Sequence, residues 1–179
     1  MLKGARVSLR AIEKGDLERL CAFRNDVEME LAGGGDPPYP IPFAKQEAEY
    51  EEYIKGSHRD MVWWAIEVEG KMIGQCALYQ FDSMAHSCGL GIGIGDKSYW
   101  GQGLGRETME ILLDWAFRHR NLRKVWLTTA SRNERAYKCY IACGLVEEGR
   151  LRQHTWYQGG YDDLIHMGIL REEWEAKAV

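Results

Sequence analysis

Between residues 89 and 105 the chain reads GLGIGIGDKSYWGQGLG, with seven glycines in seventeen positions. This run limits the fold more than any other feature, because each glycine removes a side chain where the backbone must still be held. Gly89, Gly91, Gly93 and Gly95 alternate with Leu90, Ile92 and Ile94. On a strand, successive side chains point to opposite faces, so the apolar residues share one face and bare backbone forms the other. Glycine weakens a strand, and four in register point to a close approach, either by another element or by a ligand. Gly101, Gly103 and Gly105 then lead into Met109, Leu112, Leu113, Ala116 and Phe117, which recur at the spacing of a core-facing helix.

A glycine loop that opens a helix presents several free backbone N–H groups at a helix N-terminus. The partial positive charge there suits a phosphate or pyrophosphate. Two familiar phosphate motifs do not fit. GIGIGDKS at 91–98 approximates a P-loop but has Asp96 where the second glycine should precede Lys97. The G-x-G-x-x-G dinucleotide fingerprint is missing from this run, which argues against a nucleotide triphosphatase and a dehydrogenase.

Composition narrows the class. A chain of 179 residues, 45% hydrophobic and with seven Trp and nine Tyr, is expected to pack as one globular domain over residues 1–179. A net charge of −4 and a pI near 5.8 argue against a dedicated nucleic-acid binder. No apolar run reaches membrane-spanning length, and Lys3 and Arg6 do not lead into a signal-type apolar core. Five cysteines without regular spacing read as reduced, cytoplasmic thiols. Cys139 and Cys143 lie four apart on a helical segment, but no second pair or histidine cluster completes a metal site, so no metal is expected.

Charge is unevenly spread. Residues 101–155 hold ten Lys or Arg against six acids, whereas residues 26–52 hold eight acids against Lys45 alone. This is either ordinary surface charge or an anionic ligand on the basic stretch and a cationic one on the acidic stretch. On the second reading Glu28, Glu30 and Tyr39 are candidate contacts for a cationic acceptor.

Hydrophobic period gives the remaining elements. Strands are predicted over 7–12, 61–67, 71–80, 87–94, 124–129, 145–156 and 161–170, with turns at Glu69-Gly70 and Gln158-Gly159-Gly160. Helices are predicted over 16–24, 43–55, the segment from Arg106, 133–143 closed by Gly144, and 171–176. The four prolines at 37–42 follow Gly33-Gly34-Gly35 and mark a long loop. The expected class is therefore mixed α/β, in one domain.

Strand, glycine loop, amphipathic helix, strand and an Asn-headed helix with tyrosines together resemble the GNAT superfamily of acetyl-CoA-dependent N-acetyltransferases. Its phosphate loop, Arg/Gln-x-x-Gly-x-Gly/Ala, corresponds to 100–105, where Trp100 departs from the usual first residue. The second family block is similar to 133–145, and 148–150, 160–163 and 167–170 resemble the subgroup that acetylates ribosomal-protein N-termini and polyamines. The resemblance implies a mostly antiparallel sheet of about seven strands, flanked by helices, in which two splayed parallel strands hold the pantetheine arm. These would be the strand ending at Ile94 and the strand over 125–129.

It further implies acetyl-CoA as cosubstrate and a primary amine as acceptor, either a polyamine-like small molecule or a protein N-terminus. The loop amides of Gln102 to Arg106 would take the pyrophosphate, with Gly101, Gly103, Leu104 and Gly105 in the same cradle. The amides of Ile92, Gly93 and Ile94 are candidates for an oxyanion hole. Asn133, Tyr137 and Tyr140 share a helix face. Tyr140 matches the family tyrosine that protonates the coenzyme A sulfur, and a phenol keeps its proton at neutral pH. Asn133 either touches the cofactor or serves only as a helix N-cap. A glutamate frequent in relatives is replaced near Cys88 and Gly89, which leaves the general base open among water, a remote carboxylate, His154 and His166. Direct transfer is simpler than an acetyl-cysteine on Cys88 or Cys139. A non-catalytic acyl-CoA-binding module is the alternative function. The resemblance also allows a homodimer, for which no residue here argues.

Overall fold

Alternation of apolar and polar residues from 61 to 94 becomes a meander of three antiparallel strands in the computed structural model, which describes residues 1–33, 39–56 and 60–177. In chain order the strands are β1 (Leu2–Lys3), β2 (Ser8–Ala11), β3 (Met61–Val68), β4 (Lys71–Asp82), β5 (Ser87–Ile94), β6 (Lys124–Ala130), β7 (Val146–Tyr157) and β8 (Gly160–Leu170). They form one sheet in the order β1-β2-β3-β4-β5-β6-β8-β7. Only the β5–β6 pair is parallel. The seven expected strands are all present. The eighth, β1, has two residues, too few for any period to show.

Both predicted hairpin turns have two consecutive residues with positive φ: Glu69 and Gly70 at 50° and 76°, Gln158 and Gly159 at 43° and 91°. That backbone matches the right-handed twist of the flanking strands. The registers Cys76↔Ile92 and Leu78↔Leu90 place these residues on one face of the sheet, while Tyr79↔Gly89, Ala77↔Gly91 and Gln75↔Gly93 share the other.

The first face is covered by α4 (Leu104–Asp114), which continues through a π-turn at Trp115–His119, and by α5 (Glu134–Cys143). Met109, Leu112, Leu113, Ala116 and Phe117, the stripe read from the sequence, are all at most 2% exposed. Burying each large member of such a stripe stabilises the fold by about 1.5–3 kcal/mol.

The second face carries α1 (Leu17–Arg24), α2 (Val27–Gly33) and α3 (Phe43–Lys55) over a smaller cluster of Ile12, Leu17, Leu20, Ala65 and Met72. A last helix, α6, spans Arg171–Lys177. The sequence does not disclose α2. Val27, Met29 and Leu31 alternate with Glu28 and Glu30, a period of two that conceals a helix. Asp26 starts it by accepting the N–H groups of Glu28 and Met29 at 3.0 and 3.3 Å. Of the predicted proline loop, residues 34–38 lie outside the described residues.

Candidate active site

A fork in the sheet builds the site. β5 and β6 pair only at Ser87↔Lys124, Cys88↔Val125 and Gly89↔Trp126. Beyond that point β5 stays bonded to β4 as far as Ile94, and β6 stays bonded to β8 as far as Ala130. The two strands diverge while each keeps its outer neighbour. An inner strand directs alternate backbone groups to each side, so every second residue of 90–94 turns its N–H and C=O toward the gap. Tyr79 and Trp126, edge-to-face at 6.0 Å, close the fork over Gly89.

The glycines of β5 divide into two kinds. A β-carbon on Gly89 would lie 2.7 Å from the Tyr79 ring, and one on Gly95 would lie 2.2 Å from Phe23. These two admit the protein's own aromatic rings. On Gly91 and Gly93 the nearest atoms would be 3.4 and 3.9 Å away, and both residues line a cleft of about 960 Å³. Of the two explanations offered for the glycine register, internal packing holds at its ends and an open cradle at its centre.

The cleft enters on the first face beside the glycine loop. Gly101 and Gly103 have φ of 73° and 80°, left-handed conformations that side chains resist, and Gly103 is the N-cap of α4. Beyond the local backbone, no atom of the described residues lies within 4 Å of a β-carbon built on Gly101 or Gly105. Arg6 braces the loop from behind, donating to the Gln102 carbonyl at 2.8 Å and pairing with Glu107 at 3.4 Å. The Trp100 indole N–H caps the last carbonyl of β5, Ile94, at 2.7 Å. Arg135 lies 3.7 Å above the Trp100 ring centroid. Arg106 and Lys138 line the same mouth but pair with Glu110 at 2.8 Å and Glu134 at 2.9 Å, so among the described residues Arg135 is its cation without an ion pair. Lys97, where a P-loop lysine would stand, instead bridges Asp26 and Glu28 at 2.8 and 2.7 Å.

Of the cofactor residues expected from the sequence, Ile92, Gly93, Ile94, Gly101, Gly103, Leu104, Gly105, Arg106 and Asn133 line the cleft. Gln102 and Tyr137 do not. The Gln102 side chain donates to the Ser98 carbonyl at 2.8 Å, and the Tyr137 hydroxyl donates to Glu147 at 3.2 Å. Asn133 caps α5 by accepting the Ala136 N–H at 3.2 Å, so the capping role holds whatever else it touches.

Tyr140 lines the gap and is 9% exposed. Its hydroxyl has no hydrogen-bond partner among the described residues. Burial first, then the Cys139, Cys143 and Tyr79 groups, push its pKa above the ordinary phenol value. Such a group keeps its proton across the working pH range and can donate it only to something that enters the cleft. Cys88 is buried, with its thiol pushed up to about 12 by desolvation, which removes it as a nucleophile at neutral pH. Neither His154 nor His166 lines the cleft.

Through the gap the cleft opens on the second face, below α1, α2 and α3. Here Trp63 stacks edge-on against Tyr53 at 5.4 Å and donates its indole N–H to Gln75 at 2.8 Å. Of the three acceptor residues expected from the sequence, only Glu30 reaches this chamber. Glu28 is held by Lys97, and Tyr39 is 59% exposed with Lys45 over its ring. The Glu30 carboxylate has no hydrogen bond or ion pair among the described residues. Burial pushes its pKa above the usual carboxylate range, partly offset by Arg24.

Sequence reasoning missed most of this chamber. Arg24, Met29, Glu49, Trp63 and Tyr79 come from α1, α2, α3, β3 and β4, and no spacing links them. Arg135 was the accessible omission, since it stands two residues after Asn133 on the face that looks across to the loop. Among the described residues no helix is long and apolar enough to cross a membrane.

The profile of a family described as "Acetyltransferase (GNAT) domain" matches residues 6–146. The spermidine N(1)-acetyltransferase of Vibrio cholerae is 28% identical over 170 residues, covering 95% of this chain and 96% of that protein. The spermidine N(1)-acetyltransferase of Escherichia coli K12 is 26% identical over 172 residues, covering 96% and 89%. The crystal structure of the Vibrio cholerae spermidine N-acetyltransferase in complex with CoA and spermine superposes with a TM-score of 0.87, at 28% identity, over 96% of this chain and 99% of that one.

Proposed function

The chain belongs to the GNAT acetyltransferase family, and from that premise we propose how its cleft moves an acetyl group from acetyl-CoA to a primary amine. The observation that carries the reading is the fork. A strand gap runs from a glycine-lined helix N-terminus to the Glu30 carboxylate, past the buried Tyr140 phenol, and neither side chain has a hydrogen-bond partner among the described residues.

The residues present fit the cosubstrate. The open positions at Gly101 and Gly105 form a cradle that β-carbons would fill, with the Arg135 guanidinium beside them. When bound, acetyl-CoA supplies an activated acyl group on a good leaving thiol. The amides of 101–106 hold its pyrophosphate at the positive end of α4, with the stacked Arg135 guanidinium alongside. Backbone groups of β5 and β6 pair with the amide-rich arm, and an N–H among Ile92, Gly93 and Ile94 polarises the thioester carbonyl.

Tyr140 delivers a proton to sulfur as the thiol departs. On the opposite side Glu30 receives the acceptor's ammonium and holds it against the gap. Its raised pKa makes it the carboxylate of this chamber best suited to take a proton from that ammonium. The five free thiols fit a cytoplasmic setting. Incubation with acetyl-CoA and a panel of amines and peptide N-termini, read as free thiol release, tests the assignment. Binding without thiol release for every acceptor would overturn it.

A further inference from the structure

The acidic stretch at 26–52 invites a polycation, but the fold spends most of its charge. Asp26 and Glu28 are tied to Lys97. Glu47 pairs with Lys14 at 3.8 Å and Glu51 with Lys55 at 3.7 Å, and neither lines the cleft. Two carboxylates of this stretch do line it, Glu30 and Glu49. Glu49 is bonded to Arg24, which is also held by Gln46 at 3.0 Å. Among the described residues that line the cleft, the carboxylate left without an ion pair is Glu30. The surrounding wall carries the apolar and aromatic Met29, Met61, Trp63 and Tyr79, together with the amides of Gln46 and Gln75.

From this charge inventory we infer that the acceptor carries a single ammonium next to an apolar group, and that Arg24 sets this preference by neutralising Glu49. The inference rests on the acetyl-transfer reading above and narrows its substrate. Glu30 satisfies one ammonium. A second ammonium in the chamber meets Gln46 and Gln75, whose carbonyl oxygens already accept from Arg24 and Trp63, and burying an unpaired charge is strongly unfavourable. An alkyl or aryl group at the same place gains from burial.

Heptylamine and hexamethylenediamine test this directly, because they match in length and differ by one charge. The wild-type enzyme should show at least tenfold higher kcat/KM for heptylamine. Arg24→Gln, which releases Glu49, should shift that ratio at least fivefold toward the diamine with the KM for acetyl-CoA unchanged. Arg24→Gln combined with Glu49→Gln should restore the preference for heptylamine. A peptide beginning with alanine and phenylalanine distinguishes the sources of this chemistry. Better turnover of the peptide than of heptylamine identifies a protein N-terminus, and the reverse identifies a small monoamine. A wild-type enzyme that accepts the diamine as well as heptylamine would overturn the inference, even while amine acetylation itself stands. So would an Arg24→Gln variant that folds normally and leaves the ratio unmoved. If no amine is acetylated, the transfer reading fails and takes this inference with it.

Discussion

The two ends of the cleft are made from different parts of the polypeptide. On the proposed reading the cofactor end is mainly backbone: the edges of β5 and β6 beyond Gly89, the left-handed turns at Gly101 and Gly103, and the first amides of α4. The acceptor end is almost entirely side chain, from five elements spread between Arg24 and Tyr79. Backbone groups recognise what every acetyl-CoA presents, and they change little under substitution unless a β-carbon intrudes. Side chains of α1, α2 and α3 change one at a time. Selectivity for the acceptor can thus drift in this scaffold while cofactor binding stays fixed.

Tyr140 stands between the two ends, so Tyr140→Phe separates chemistry from both kinds of binding. The maximal rate should fall by about 10²-fold or more, with the KM values for acetyl-CoA and amine nearly unchanged. Because burial raises the phenol's pKa, the wild-type rate should show no alkaline decline from this group at pH values where an ordinary tyrosine, near about 10, ionises. A rate within about twofold of the parent would assign the proton to water.

The acceptor end should respond to one carboxylate and ignore its neighbour. Glu30→Gln is expected to raise the amine KM by about tenfold or more, whereas Glu28→Gln, already tied to Lys97, should leave it within about twofold. Equal effects would erase the contrast. Stability should move oppositely. The folded state holds the Glu30 proton more tightly than the unfolded chain does, so ionisation at rising pH costs stability. Glu30→Gln should then melt slightly higher than the parent at neutral pH, with the difference vanishing below the carboxylate range.

At the cofactor end Gly105→Val adds a side chain where, beyond the local backbone, no atom of the described residues lies within 4 Å, in an ordinary helical position. Acetyl-CoA should bind at least tenfold more weakly, about 1.4 kcal/mol, with the melting temperature held or raised because glycine is a poor helix former. Gly103→Val is a poorer probe, since its φ of 80° strains the fold as well. Unchanged calorimetric affinity in a folded Gly105→Val variant would move the pyrophosphate elsewhere.

The smallest effect sharpens the division within β5. Gly89→Ala meets Tyr79 and Trp126 and should destabilise the fold by about 1–3 kcal/mol in denaturant titration. Gly93→Ala has room and should cost well under that, yet its methyl group points at Met29 of the acceptor chamber and should raise the amine KM. Equal destabilisation would mean that the whole register serves internal packing.

Much of the fold was legible because its signals are local. The stripe from Met109 to Phe117 is a property of one segment, and the Glu69-Gly70 and Gln158-Gly159 turns need only two residues. That the glycine loop and Tyr140 belong together was legible from a family block over 133–145, and both line the one cleft. Helix α2 was not, because its alternation imitates a strand.

The sequence by itself determined which backbone is bare, which faces are apolar and which helix follows the loop, since these depend on residue type and spacing along a few turns. Only the tertiary structure decided that β5 and β6 part after Gly89, that Lys97 takes Asp26 and Glu28, and that Arg24 takes Glu49. Those outcomes depend on which distant charges and rings come within a few ångströms of one another. Coulombic and packing energies act through space and fall off with distance, so one-dimensional spacing cannot disclose that Glu49 is paired in the chamber while Glu30, among the described residues, is not.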